Sequence, residues 1–366
     1  MGPLRRNDVA LPIVLILSLV LALAGCAGPY GPSPSADRVV LAVLGDSDSQ
    51  AYQDGITFPR GGPGRGGAHR ATSLQWTEVL ARLRSNQMDL GAWGEWGVRG
   101  RWATLLGSIR MDRRSPRKED HEFNFAWSGA RCADLLDGPG RQAPRLAARM
   151  AVEPDAWRSA VVVIRIGIND LGTREALDAF AREGDSDANR RRVDACLVAI
   201  DLALRQLADV QPELNVLLVG VLDNVDWPRW SVEYADPVER RRIAAMLDRF
   251  DAGLRVIAAA APNRAFFDDR AFYRGVVGAR AADGGPDYRG IAVRDASGAV
   301  AWTARFAEGD GLEHLYLADG HAGTVLNAHW AQAYAATMGQ AFDLPITPIT
   351  DAERDAFLIE LSKLAP

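Results

Sequence analysis

Three short runs of β-branched and aliphatic residues, spaced by helical stretches, constrain this chain more than anything else in it. They are Arg38–Leu44 (RVVLAVL), Ala160–Ile166 (AVVVIRI) and Asn215–Val221 (NVLLVGV). Strands apolar on both faces belong in the middle of a parallel sheet, because only there are both faces covered. Arg264–Phe267 reads as a short fourth strand. Between and after the strands, helical spacing marks Ser73–Leu83, with Ser73 as N-cap, then Asp194–Val210, Val238–Ala261, Gly323–Met338 and Asp351–Lys363. RGIAVRDASGAVAWTARF reads as a hairpin insertion turning at Asp295-Ala296-Ser297-Gly298, and Gly61–Gly67 (GGPGRGG) as a loop. No internal repeat is visible. Alternating strands and helices predict an α/β fold whose ligands bind at the C-terminal ends of the strands.

Composition narrows the chemistry. With 366 residues, 48% of them hydrophobic, the chain can bury one large core. A net charge of −5 gives no basic excess for nucleic acid. Only Lys118 and Lys363 are lysines. Lys118 sits in a charge run, Met111–Glu122, read as a solvated face, so no lysine looks buried for a Schiff base, and no GK[ST] marks a phosphate loop. Three cysteines (26, 132, 196) lack CxxC spacing, and five histidines (69, 121, 314, 321, 329) lack HExxH. No metal or cofactor site is expected. Cys132 and Cys196 could pair in an oxidising compartment, but the sequence cannot place their Cα atoms.

The N-terminus reads as an address. Arg5 and Arg6 precede an apolar run, Val9–Ala24, of signal-peptide rather than membrane-spanning length. It ends in Leu23-Ala24-Gly25-Cys26, which resembles a bacterial lipobox. The resemblance implies cleavage before Cys26, lipidation of Cys26, and anchoring at the periplasmic or extracellular face of the cell envelope. Pro-, Gly- and Ser-rich residues 26–37 then form a tether. Loss of residues 1–25 would take the net charge to about −6.

Four blocks fall where the fold puts its ligands. Gly45-Asp46-Ser47-Asp48-Ser49 follows the first strand, and a serine in such a turn stands clear of the sheet. Asn124–Ala130 (NFAWSGA) carries Gly129, whose amide can face a ligand without a side chain in the way. Gly167-Ile168-Asn169-Asp170 offers an amide side chain at a strand end, with Asp170 able to cap the next helix. Asp319-Gly320-His321-Ala322-Gly323-Thr324 places a histidine beside a carboxylate just before a helix.

In that order the blocks resemble the SGNH, or GDSL-type, serine hydrolase family. The resemblance implies a flavodoxin-like three-layer α/β/α sandwich with a parallel five-stranded sheet, covering residues 38–345 before a C-terminal helical tail, 346–366. It implies Ser47 as nucleophile, His321 as general base, and an oxyanion hole of the Ser47 and Gly129 amides with the Asn169 side chain. One departure stands out: the family usually reads DxxH, whereas here position 318 is alanine and Asp319 lies two residues before His321. Either Asp319 still reaches the imidazole or a backbone carbonyl orients it. Asp310 and Glu313 rank behind Asp319 as substitutes, and His314 is the rival base.

The expected activity is metal-independent hydrolysis of acetyl or short acyl esters, small or polysaccharide-borne, with membrane contact only through Cys26. Trp93, Trp96 and Trp102, with Trp227 and Trp230, could form an aromatic platform for a sugar or acyl chain, or pack inward as a lid. His329 is expected to be structural. Two other classes fit parts of the pattern. One is a non-catalytic, glycan-binding envelope lipoprotein on the same fold. The other is an Mg²⁺-dependent phosphatase with Asp46-Ser47-Asp48 as its DxD, which Gln50 and the scarcity of lysines disfavour.

Overall fold

The computed structural model describes residues 31–53, 58–99, 102, 114–138, 140–281 and 285–366. Cys26 and the leader lie outside the described residues. Five parallel strands form the central sheet: β1 (Val39–Gly45), β2 (Met88–Asp89), β5 (Val161–Arg165), β6 (Asn215–Val219) and β7 (Arg264–Phe267). Their order across the sheet is β2-β1-β5-β6-β7, so the chain starts next to one edge, steps outward once, then winds back past its start. This is the flavodoxin-like doubly wound order, and it puts a switch point between β1 and β5.

Successive side chains of the strands feed two cores. Val40, Ala42, Leu44, Val162, Ile164 and Leu218 face one; Val39, Leu41, Val43, Val161, Val163 and Leu217 face the other. Helices α2 (Gln142–Val152), α4 (Arg174–Glu183), α5 (Asp187–Val210) and α6 (Pro237–Ala259) cover the first core. Helices α1 (Trp76–Leu83), α7 (Asp269–Val277), α8 (Thr324–Ala341) and α9 (Asp351–Ser362) cover the second. The single turn α3 (Ile168–Leu171) follows β5. The sheet is thus the middle of three layers, as the strand runs require. Leu358 and Leu361 of α9 are buried in the second core, so the last helix is packed onto the domain.

The insertion is a small sheet of β10 (Ile291–Arg294), β11 (Val300–Glu308) and β12 (His314–Tyr316). The hairpin turns at Asp295–Gly298 as the sequence suggests; the third strand, β12, was not legible. Two further pairs are β3 (Trp93–Trp96) with β4 (Lys118–His121), and β8 (Gly278–Arg280) with β9 (Pro286–Tyr288).

Three expectations are corrected. Helix α1 is capped by Gln75 rather than Ser73, because Glu78 reaches back to the Gln75 amide at 3.0 Å and closes a capping box. The charge run is not wholly a solvated face: Lys118, Asp120 and Glu122 are buried while Glu119 and His121 are partly open. Period-two alternation turns every second charge inward, where Lys118 Nζ lies 2.6 Å from Asp120 and Arg149 meets Glu122 at 3.3 Å. Consequently Lys118 is a buried lysine, committed to an ion pair. Lastly, helix α5 begins at Asp187, seven residues before the expected start, with Ser186 as its N-cap.

Candidate active site

The Ser47 turn is built from its neighbours inward. β1 ends at Gly45, whose amide and carbonyl are both engaged by the Gln142 side chain at 2.7 and 2.8 Å. A Cβ at Gly45 would stand 2.3 Å from the Arg165 carbonyl oxygen, so the turn admits only glycine there. Asp46 then folds the chain back: its Oδ1 accepts the Asp48 amide at 3.0 Å, and its carbonyl accepts those of Ser49 and Gln50. Every residue from Gly45 to Ala51 is buried except Ser47, which is half-buried. Among the described residues its hydroxyl and its amide hydrogen-bond to nothing. Burial, then the neighbouring Asp48 charge, pushes the Asp46 carboxyl well above its usual range. An acid enclosed in its own turn is poorly placed to reach a ligand, which weighs against the DxD reading.

Residues 123–127 run beside β1, with Phe125 N donating to the Val43 carbonyl at 2.8 Å, and so deliver Gly129 to the same edge. Gly129 has φ +82°, has open space where a Cβ would be, and its N–H has no acceptor among the described residues. Asn169 sits in α3, beyond β5, and one hydrogen of its Nδ2 is donated to the Ala130 carbonyl at 2.9 Å. The second amide hydrogen has no acceptor among the described residues. The Ser47 N–H, the Gly129 N–H and the Asn169 amide are thus three donors at one end of the sheet. Asp170 does not cap α4, a role taken by Thr173; its carboxylate accepts the Cys132 amide at 2.8 Å.

His321 lies in the turn before α8. Its Nδ1 is 2.9 Å from Asp319 Oδ2, and its backbone N–H donates to Asp319 Oδ1 at 3.2 Å. The shortened spacing therefore still brings the carboxylate to the ring. It does so at a bent angle, because at this distance the ring N–H does not align on the oxygen. Burial would raise the Asp319 carboxyl, but the His321 contact and the Arg65 guanidinium outweigh it and hold that carboxyl below the usual range. His314 belongs to β12, pairs with Glu313 and Arg305, and makes no contact with Asp319.

Two residues unseen in the sequence join the halves of the site. Tyr52 donates to the Ala322 carbonyl at 2.9 Å, and its ring lies 6.0 Å from that of His321. Arg65, 1% exposed, stacks on Phe58 at 3.6 Å and bonds Asp319, while its Nε and Nη1 have no partner among the described residues. As the lone charge in a glycine-rich loop, it gave no signal beyond that isolation. Further ties run from Gln75 to the Ser47 carbonyl (3.1 Å) and from Thr324 to the Thr72 carbonyl (2.6 Å). They fix the turn carrying Ser47 against the turn carrying His321.

Below the nucleophile, Arg165 at the end of β5 donates to the Asp48 carbonyl at 2.8 Å and pairs with buried Asp269 at 3.1 Å. Cys132 and Cys196 are disulfide-bonded, with Cα atoms 5.1 Å apart. With Asp170 they form a cluster of possible metal ligands among the described residues, but the bond occupies both sulfurs. Of the tryptophans, Trp93 is 39% exposed and Trp102 more so, whereas Trp227 and Trp230 pack onto the two cores. His329 is half-buried beside Arg354, and desolvation, then the Arg354 charge, push its imidazole down to about 3, consistent with a structural role.

No protein-family model matches the sequence, and no curated protein matches it. Among solved structures, the chain is similar to a phospholipase A1 from Streptomyces albidoflavus, at 19% identity and TM-score 0.36, over 65% of this chain and 83% of that one. It is similar to a catalytic mutant of an acetylxylan esterase from Geobacillus stearothermophilus, at 15% identity and TM-score 0.36, over 84% and 95%. A carbohydrate esterase of family 3 from Talaromyces cellulolyticus matches at 12% identity and TM-score 0.35, over 83% and 98%.

Proposed function

We propose that this chain is a serine ester hydrolase of the SGNH type, acting without a metal on acetyl or short acyl esters, carbohydrate esters included. The observation that carries the reading is a half-buried Ser47 whose hydroxyl has no partner among the described residues, beside three donors, the Ser47 and Gly129 amides and the Asn169 side chain, at the same end of the sheet. In the first step Ser47 Oγ attacks the ester carbonyl while its proton passes to His321 Nε2, and Asp319 stabilises the resulting imidazolium. The tetrahedral oxyanion is held by the Ser47 and Gly129 amides and Asn169 Nδ2. Collapse expels the alcohol, which takes the proton back from His321, and leaves an acyl-serine. Water, deprotonated by His321, then releases the acid and restores Ser47.

In this proposal the enzyme is a lipoprotein anchored through Cys26 at the cell envelope, where polymeric acyl esters occur. The lipobox-like LAGC sequence supports that placement. The test is hydrolysis of p-nitrophenyl acetate and butyrate, with EDTA present, by wild type and Ser47→Ala. Turnover lost only in the variant supports the serine mechanism. Equal, negligible rates on these and on a panel of acetylated polysaccharides would favour the glycan-binding alternative.

A further inference from the structure

We infer that the Cys132–Cys196 disulfide and the Asp170 carboxylate together position the oxyanion donors, so that catalysis requires the bond to stay oxidised. This rests on the hydrolase reading above. The loop carrying Gly129 is exposed at its tip, while Ala130 is buried and Arg131 N donates to Asp134 Oδ2 at 2.8 Å. Ser128, Gly129 and Arg131 are exposed, and nothing lies within 4 Å of where a Gly129 Cβ would sit. Its upstream side is held by Ser128 N donating to Gln50 Oε1 at 2.7 Å and by Trp127 N donating to the Gly45 carbonyl at 3.3 Å. Its downstream side is held at Cys132, three residues beyond Gly129.

Cys132 is where the two donor segments meet. Its N–H donates to Asp170 Oδ2 at 2.8 Å, and Asp170 is the residue after Asn169. Asn169 itself donates to Ala130, one residue after Gly129, at 2.9 Å. The disulfide then ties Cys132 to Cys196 on α5, and Cys196 Sγ lies 3.7 Å from the Cβ position of Gly167, where the Asn169 turn begins. The bond therefore braces both segments from behind, against a long helix that carries none of the site residues. Cys132 and Cys196 are each 2% exposed and belong to the first core.

Deleting one oxyanion donor typically costs ~10²–10³ in rate, so letting two drift is expected to cost roughly ten- to a hundredfold in kcat. The test uses the full chain, oxidised and after treatment with tris(2-carboxyethyl)phosphine. The phosphine gives two electrons to the S–S bond, two thiols form, and it leaves as the oxide with oxygen from water. Measured are kcat and KM for p-nitrophenyl acetate, Ki for phenylboronic acid as a tetrahedral mimic, and far-UV circular dichroism. The expected result is lower kcat, KM within about threefold, Ki raised by the same factor as the kcat loss, and an unchanged spectrum. Asp170→Ala, with the disulfide intact, is expected to show the same pattern to a smaller degree, and it decides the matter if reduction unfolds the chain. Reduced, folded protein with unaltered kcat and Ki, or an Asp170→Ala variant with unaltered kcat and Ki, would overturn the inference. Absence of turnover and boronate binding in the oxidised wild type would instead strike the hydrolase reading, and this inference with it.

Discussion

Replacing Arg65 by methionine removes a cation while keeping most of the side-chain volume that stacks on Phe58. The guanidinium touches Asp319 Oδ2, and that oxygen is 2.9 Å from His321 Nδ1. Arg65 is 1% exposed and Asp319 37%. At an effective dielectric near 20, opposite charges roughly 4 Å apart attract by about 4 kcal/mol, and solvent screening at the half-exposed carboxylate brings this to about 2 kcal/mol. The other charged groups around the loop are Arg229, which reaches the Ala318 and Asp319 carbonyls, and Asp310, which accepts the Ala318 amide. Loss of the cation loosens the carboxylate that holds His321. Arg65→Met should therefore lower kcat by about ten- to thirtyfold with KM little changed. Arg65→Lys keeps the charge and should retain most of the rate. An unchanged kcat in Arg65→Met, or an equal loss in Arg65→Lys, refutes the electrostatic argument.

Asn169→Ala should lower kcat by ~10²–10³ with KM little changed, since the amide acts on the oxyanion; an equal loss confined to KM would mean that it binds substrate instead. Lys118→Met leaves Asp120 buried with its cation gone and should cost about 3 kcal/mol, read as a urea midpoint shift at constant slope. A shift worth under ~1 kcal/mol would show that the amides of Ala51 and His121 and the Asn124 side chain suffice to hold Asp120. Burial raises the Glu78 carboxyl to about 8, against ~4.3 in an unfolded chain. A raised acid gives most stability below its unfolded value and loses it as pH climbs toward 8. Glu78→Gln can still accept the Gln75 amide, so its melting temperature should gain on wild type between pH 5 and 9; a constant gap contradicts the assignment.

What the sequence made legible follows from what local pattern can encode. β1, β5 and β6 announced themselves because the body of a doubly covered strand is apolar on both faces, with Asn215 and Arg165 only at the strand ends. Helices α1, α5, α6, α8 and α9 followed from their periodicity, whereas α2, α4 and α7 were not read from the sequence. Ser47 and Asn169 could be proposed because each lies within a few residues of a strand end that was already recognisable, and Gly129 because its block stands in order between theirs. β2 is two residues long, and β12 is defined only by its pairing with β11, so neither has a pattern of its own. β4 was misread because charges usually face water, whereas here alternation matters more than type. Arg65 and Tyr52 reach His321 and Asp319 from some 250 residues away in sequence, and such contacts belong to the tertiary structure alone. The Asp319–His321 spacing was legible as an anomaly, but its consequence, a short and bent contact, was not.

The central claim is that Ser47 carries the acyl group. Mixing the protein with p-nitrophenyl acetate, quenching in acid within the first turnover and mapping the digest by mass spectrometry addresses it directly. The account predicts a single acetyl increment on the peptide containing Ser47, absent in Ser47→Ala and abolished when the quench follows complete hydrolysis. An acetyl group trapped elsewhere, or turnover that persists undiminished in Ser47→Ala, would contradict it.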